Sequence, residues 1–210
     1  MIARAAREIA PGMVVNLGIG MPTKVVDCLP DRFPVCLHTE NGMSGIGPTP
    51  PTDKADRNLI DAGGAYISTV PGSAFFDSVV SFSLVRSGRL DLTMLGAFEV
   101  SQAGDLANWK IPGKFSPGAG GGIELAQKAR RVVVLTMHTD RNGEPKLLSE
   151  CTLPLTARRC VNRIFTDMAV IDVVDGGFVL REIADGVSVE DVIAATGAPV
   201  ALPAGDIPVF

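Results

Sequence analysis

Three glycine-rich turns punctuate this chain, at Gly18-Ile19-Gly20, at 42–47 and at 118–122, and each stands after a predicted strand. The runs before them, such as 13–17, 34–37 and 90–95, are apolar and only four to six residues long. Runs that short are strands rather than helices, and the helix-like spacing falls between them. Strand, glycine turn and helix in repetition predict an α/β fold, an open and mostly parallel sheet flanked by helices. In such a sheet the turns at the strand carboxyl ends gather along one edge, where ligands bind.

The pattern predicts a helix over 2–10 stopped by Pro11-Gly12, helical spacing from Val25 to Pro30, and a strand at 66–70. It also predicts helices over 73–86, 123–129 and 189–195, and strands over 131–137, 169–173 and 178–183. The proline-rich stretch 48–61 reads as a surface loop. No repeat or linker interrupts the order, so residues 1–210 form one domain, with an irregular C-terminal tail expected from about 199.

Composition removes several function classes. Charged residues are 20% of the chain and the net charge is −4, with Lys and Arg dispersed, which argues against nucleic acid and against an anionic membrane surface. The four cysteines form no CxxC pair and read as reduced thiols, and with two isolated histidines they suggest no metal site. No apolar run is long enough to span a bilayer, so the expectation is a soluble, cytoplasmic protein.

The turns fail the familiar nucleotide patterns. The first lacks the third glycine of a dinucleotide fingerprint and has Pro22 where the helix should pack; the second lacks the Lys-Ser/Thr of a P-loop. What remains is Glu40, a carboxylate that closes one strand and opens a glycine turn. From its position alone it is a general base, a nucleophile, or a cap on the turn. Glycines in the three turns let backbone N–H groups approach a ligand closely, or merely permit tight turns.

The segment around Glu40, LHTENGMSGIGP at 37–48, resembles the signature of the beta subunit of the family I CoA-transferases, which include the 3-oxoacid, 3-oxoadipate and acetoacetate enzymes. Further blocks similar to that family follow in order along the chain: VVNLGIGMPT at 14–23, GSAFFDS at 72–78, DLTMLGA at 91–97, GDLANW at 104–109, IPGK at 111–114 and CTLPL at 151–155. The resemblance implies that Glu40 attacks an acyl-CoA thioester and carries CoA as a glutamyl thioester. It implies that Asn16 helps hold the acyl carbonyl, with Asn41, Gly18 and Gly20 around the substrate, and that Gly118, Gly120, Gly121 and Gly122 line the CoA and oxyanion region. Coenzyme A is then a substrate, no cofactor is bound permanently and no metal is needed. The expected partner is a CoA-transferase alpha subunit, in a hetero-oligomer.

The chain departs from the family pattern at three places: Thr39 where Ser is usual, Met43-Ser44 where two apolar residues follow the glycine, and Lys110 where Met is common. A polar Ser44 near Glu40 would alter acyl preference, and Lys110, if it faced the crevice, would favour a dicarboxylic substrate. Two other readings share the site. Water in place of an acceptor acid would make the chain a CoA-ester hydrolase, and loss of the chemistry would leave a noncatalytic binding protein of the same fold.

Overall fold

The structure is a computed structural model that describes residues 1–116 and 118–210. Its strands are β1 Val14–Leu17, β2 Cys36–Thr39, β3 Met43–Gly47, β4 Ser68–Phe75, β5 Leu92–Leu95, β6 Glu99–Ser101, β7 Leu106–Ala107, β8 Val132–Leu135, β9 Leu147–Leu148, β10 Arg163–Phe165, β11 Ala169–Val174, β12 Gly177–Ile183 and β13 Val200–Ala201. Four α-helices accompany them among the described residues, α1 Ile2–Ala6, α2 Ser78–Arg86, α3 Gly122–Lys128 and α4 Val189–Ala195, with a 3-10 helix at Met21–Cys28.

Ten strands form one sheet in the order β13-β12-β11-β10-β8-β5-β1-β2-β3-β4, and β7-β6-β9 form a small second sheet. The five central strands, β10 to β2, run parallel. Both wings turn antiparallel, through β3 and β4 on one side and β11 and β12 on the other. The parallel centre is buried on both faces, and its strands are correspondingly rich in apolar residues. In β8, Val132 and Val134 join the core on one face while Val133 and Leu135 join the core on the other. The second of these cores packs against α1 and the 3-10 helix; the first includes residues of α2, α3 and α4.

Four sequence expectations are corrected. The helix predicted over 73–86 starts only at Ser78, because Asp77 caps it by accepting from the Val80 N–H at 2.9 Å, while 73–75 continue β4 against β3. The first helix stops at Ala6. The glycine stretch 42–47, expected as a turn, instead forms strand β3, which lies between β2 and β4 and pairs antiparallel with both. The tail beyond 199 is docked: β13 runs beside β12, the Ile183 N–H donates to Pro208 O, and the Phe210 N–H donates to Ile183 O. Residues 202–208 between these contacts have no regular structure, so the expectation of an irregular tail is narrowed to that stretch.

Ion pairs fasten α1 to the antiparallel wing. Glu8 meets Arg4 at 3.3 Å, Arg131 at 2.7 Å and Arg163 at 2.8 Å, and Arg163 also holds Asp172. Arg4 in turn reaches Glu182 at 2.6 Å.

Candidate active site

Side chains alternate along a strand, so Cys36, His38 and Glu40 leave β2 toward the same side. That side is covered by α2 and α3: the His38 ring meets Ser81 of α2 at 3.0 Å, and both Glu40 and Phe82 of α2 close on Gly121, the residue that opens α3. The chain then reverses within a tight turn, with the Gly42 N–H donating to Thr39 O at 3.1 Å and the Phe76 N–H donating to Gly42 O at 2.9 Å. Gly42 has φ +126°, and a Cβ there would lie 2.1 Å from Phe76 O. Only glycine fits two residues after Glu40, which explains the Glu-x-Gly spacing.

Strand register assembles a buried polar row beneath the carboxylate. Thr93, Asn16, His38 and Ser44 are successive cross-strand partners in β5, β1, β2 and β3. Asn16 is fully buried; its Nδ2 donates to Glu40 Oε2 at 3.1 Å and to His38 O at 3.2 Å. Thr93 Oγ1 donates to Asn16 Oδ1 at 3.4 Å, which fixes the amide with its N–H groups toward Glu40. Thr93 is a site residue that sequence reasoning missed, as are Ser81 and Phe82. Each is an ordinary residue in its own strand or helix, and only register and packing bring it to Glu40.

The third glycine cluster supplies the opposite wall. A Cβ on Gly121 would lie 3.0 Å from Glu40 Cγ, 3.2 Å from Glu40 Oε1 and 3.1 Å from Phe82 Cζ, so a side chain there would crowd both, and glycine lets the backbone approach the carboxylate closely. Gly122 adjoins Thr156 and Asn108 rather than Glu40, and its N–H donates to Ala119 O. Gly118 and Gly120 stand in open space in the loop before α3, as does Gly20 before the 3-10 helix.

Two of the expected substrate residues have other work. The Gly18 N–H donates to Met94 O at 2.8 Å, which removes it as an oxyanion donor and leaves it as a close-packing residue against β5. Asn41 turns away from Glu40: its Oδ1 accepts from Thr39 Oγ1 at 2.8 Å and its Nδ2 donates to Ile60 O at 2.9 Å, so it pins the 48–66 loop. Thr39 assists by accepting from the Ala62 N–H at 3.0 Å. Ser44 sits in the polar row beside His38, and Lys110 is exposed with its Nζ 5.6 Å from the centre of the Trp109 ring.

The electrostatics of the site are spare. Among the described residues Glu40 makes no ion pair, and its one side-chain donor is the Asn16 amide. His38, only 3% exposed, has its pKa pushed down to about 4 by burial and is neutral at ordinary pH; its Nδ1 has no hydrogen-bond partner among the described residues. A carboxylate so placed keeps lone pairs unengaged by cations, beside an amide donor and close-packed backbone. That is a suitable arrangement for attack on a carbonyl.

Two cavities flank β2 without including Glu40 in their lining. One of about 160 Å³ lies under the 48–66 loop, lined in part by Lys24, Thr39, Asp61 and Tyr66. The other, about 220 Å³, lies between the sheet and α2, lined in part by Cys36, His38, Ser44 and Arg89. Among the described residues no cluster of three or more His, Cys, Asp or Glu could hold a metal ion, and no helix is long and apolar enough to cross a membrane.

Comparison with known proteins places this geometry in a family. Residues 1–195 match the Coenzyme A transferase family. The chain is 48% identical over 202 residues to the B chain of a probable succinyl-CoA:3-ketoacid coenzyme A transferase of Bacillus subtilis, covering 96% of this chain and 94% of that one. It is 43% identical over 196 residues to the B chain of the 3-oxoadipate CoA-transferase of Acinetobacter baylyi, covering 93% and 90% of the two chains. The fold superposes on an acyl-CoA transferase of Escherichia coli O157:H7, solved as a thioester complex with CoA, with TM-score 0.76 and 22% identity; all of this chain is covered but only 42% of that one. At that identity the superposition speaks for the fold alone, whereas the two sequence relatives and the family match span nearly the whole chain. The chain belongs to the coenzyme A transferase family.

Proposed function

We propose that this chain is the catalytic beta subunit of a CoA-transferase that moves CoA between an acyl-CoA, such as succinyl-CoA, and a 3-oxoacid such as acetoacetate or 3-oxoadipate. The observation that carries the reading is the placement of Glu40 between the Asn16 amide, at 3.1 Å, and the backbone of Gly121, with no cation paired to it among the described residues. The relatives support the substrate class: they are named for succinyl-CoA with a 3-ketoacid and for 3-oxoadipate.

In this reading a Glu40 oxygen attacks the thioester carbonyl, the C–S bond breaks, and an acyl-glutamyl anhydride and CoA thiolate result. The thiolate attacks the glutamyl carbonyl of the anhydride and releases the first acid as its carboxylate, leaving glutamyl-CoA. The acceptor carboxylate then attacks glutamyl-CoA, expels CoA thiolate and forms a second anhydride. Attack of the thiolate on its acyl carbonyl gives the new acyl-CoA and restores Glu40. Each tetrahedral intermediate places negative charge on a carbonyl oxygen, where the Asn16 amide and backbone N–H groups within 119–121 act as donors. Asn16 adds no charge, so it does not quench the nucleophile as a lysine would.

Relatives named as one of two lettered subunits imply a companion chain, and the proposed working enzyme is a cytoplasmic hetero-oligomer of this chain with a CoA-transferase alpha subunit. The test is to incubate the assembled protein with several acyl-CoA compounds, reduce with borohydride and locate the modified residue by peptide mass spectrometry. Modification at Glu40 is expected, and the acyl-CoA that modifies it fastest identifies the donor. An unmodified Glu40 alongside turnover would refute the reading. CoA transfer only in the presence of an acceptor acid separates it from hydrolysis.

A further inference from the structure

Resting on that reading, we infer that Asn108, held by Thr156, is a positioning residue of the transfer reaction: it sets the depth at which the Gly121 backbone lies against Glu40. Asn108 follows β7 of the small sheet, and its three hydrogen bonds tie the residue after β5 to Thr156, which together with Asn108 lies against Gly122. Its Nδ2 donates to the carbonyl of Gly96, the residue after β5, at 3.0 Å. Its Oδ1 accepts from Thr156 Oγ1 at 2.6 Å, and Thr156 Oγ1 accepts from the Asn108 N–H at 3.0 Å.

This closed pair is the floor under Gly122. A Cβ on Gly122 would lie 3.8 Å from Thr156 Cγ2 and 3.9 Å from Asn108 Oδ1, which is ordinary contact, while the neighbouring Gly121 presses on Glu40. On its other side the clasp holds Gly96 where a Cβ would lie 3.9 Å from Ile19 O, in the turn that follows Asn16. Thr156 is 5% exposed, and its own N–H is committed to Leu106 O at 2.7 Å, so the pair is anchored in the small sheet and not free to follow α3. The amide is required in this orientation because it must donate to a carbonyl on one side and accept from a hydroxyl on the other. A small displacement of Gly121 changes where the thioester can sit against the Glu40 oxygen, and misplacement of that kind acts on the rate of the chemical step.

The experiment uses the assembled enzyme and measures the single-turnover rate of glutamyl-CoA formation, by rapid quench and borohydride capture, across acyl-CoA concentrations. Asn108→Asp, which faces a carboxylate to Gly96 O, and Thr156→Val, which removes the hydroxyl, are each expected to slow adduct formation by about ten- to a hundredfold at saturation. The half-saturating concentration should stay within about threefold, and Thr156→Ser should restore the rate to within about threefold of the unsubstituted enzyme. Should the Asn108 variant fail to assemble, the Val and Ser variants at Thr156 decide the matter. Equal rates for those two, or a loss confined to half-saturation, would overturn the inference while the unsubstituted enzyme still forms its adduct. No adduct in the unsubstituted enzyme would overturn the parent reading and this inference with it.

Discussion

Glu8 and Glu40 are both carboxylates packed against the central sheet, and they are held in opposite ways. Glu8 has a side chain only 7% exposed and lies within 3.3 Å of three arginines. Glu40 is half-buried, has one amide donor and, among the described residues, no cation. Around Glu8 both carboxylate oxygens are paired with guanidiniums, so the group is a fastener: it ties the end of the first helix to β10 and to Arg131 just before β8. Around Glu40 the fold supplies close-packed glycine backbone and an uncharged amide. On the proposed role of Glu40, burial and hydrogen bonding alone do not mark a reactive carboxylate; the absence of a paired cation does more.

The largest effect expected from breaking that contrast is at Glu40. Glu40→Ala in the assembled enzyme should lower CoA transfer by on the order of 10³-fold or more, with an unchanged melting temperature, since the residue has no ion pair to lose. Substantial turnover in that variant would remove the nucleophile assignment. Asn16→Ala comes next. It deletes the donor beside Glu40, and loss of one such donor costs about 10²-fold in kcat. Asn16 is fully buried and also bonds His38 O, so circular dichroism and assembly should be measured alongside the rate.

Glu8→Gln should do the reverse of Glu40→Ala. It leaves Arg131 and Arg163 facing an amide, and because those arginines keep 39% and 20% of their side chains exposed, water compensates in part. A loss of about 2 kcal/mol of folding stability is expected, below the value for fully buried pairs, with the transfer rate per folded molecule intact. Denaturant unfolding measures the first and steady-state kinetics the second; a catalytic defect without a stability defect would mean the two glutamates are not separable as fastener and nucleophile.

Much of the Glu40 side of this comparison was legible in the sequence. A carboxylate ending an apolar run and followed by Asn41-Gly42 marks a strand end and a tight turn, and the glycine clusters at 18–20 and 118–122 mark turns before helices, whereas the cluster at 42–47 is strand β3. The partners of Glu40 were less legible, for physical reasons. Thr93 and His38 meet Asn16 only through register between strands far apart in sequence, and no local pattern encodes register. Asn41, adjacent to Glu40, holds a loop instead, because a residue next in sequence at a strand end points to the other side. The extension of β4 to Phe75 overrode the helical spacing of 73–86 because pairing with β3 and the Asp77 cap fix the helix start further on. On the Glu8 side the charges were visible singly, but the cluster joins residues 4, 8, 131, 163 and 172 and exists only in the fold.

The comparison can be sharpened with pH, because a latent cation lies one pleat below Glu40. His38 is neutral in the fold, with its pKa pushed from 6.5 down to about 4 by burial. Between those values the unfolded chain binds a proton at this residue and the folded chain does not. The stability that His38 contributes is therefore complete above about pH 6.5 and is lost as the pH falls toward 4. The steepest slope one such group can impose is about 1.4 kcal/mol per pH unit. His38→Gln should flatten the decline across that window by up to that slope, measured as the difference between the two proteins in denaturant unfolding at a series of pH values. Taking the difference matters, since His138 is also buried with its pKa lowered and contributes in the same direction. An identical pH dependence in the variant would mean that His38 takes up its proton as readily in the fold as in the unfolded chain, and so becomes charged there below about pH 6.5. A charged imidazole beneath Glu40 would then make its surroundings resemble those of Glu8, and the reactive carboxylate would need another explanation than its freedom from cations.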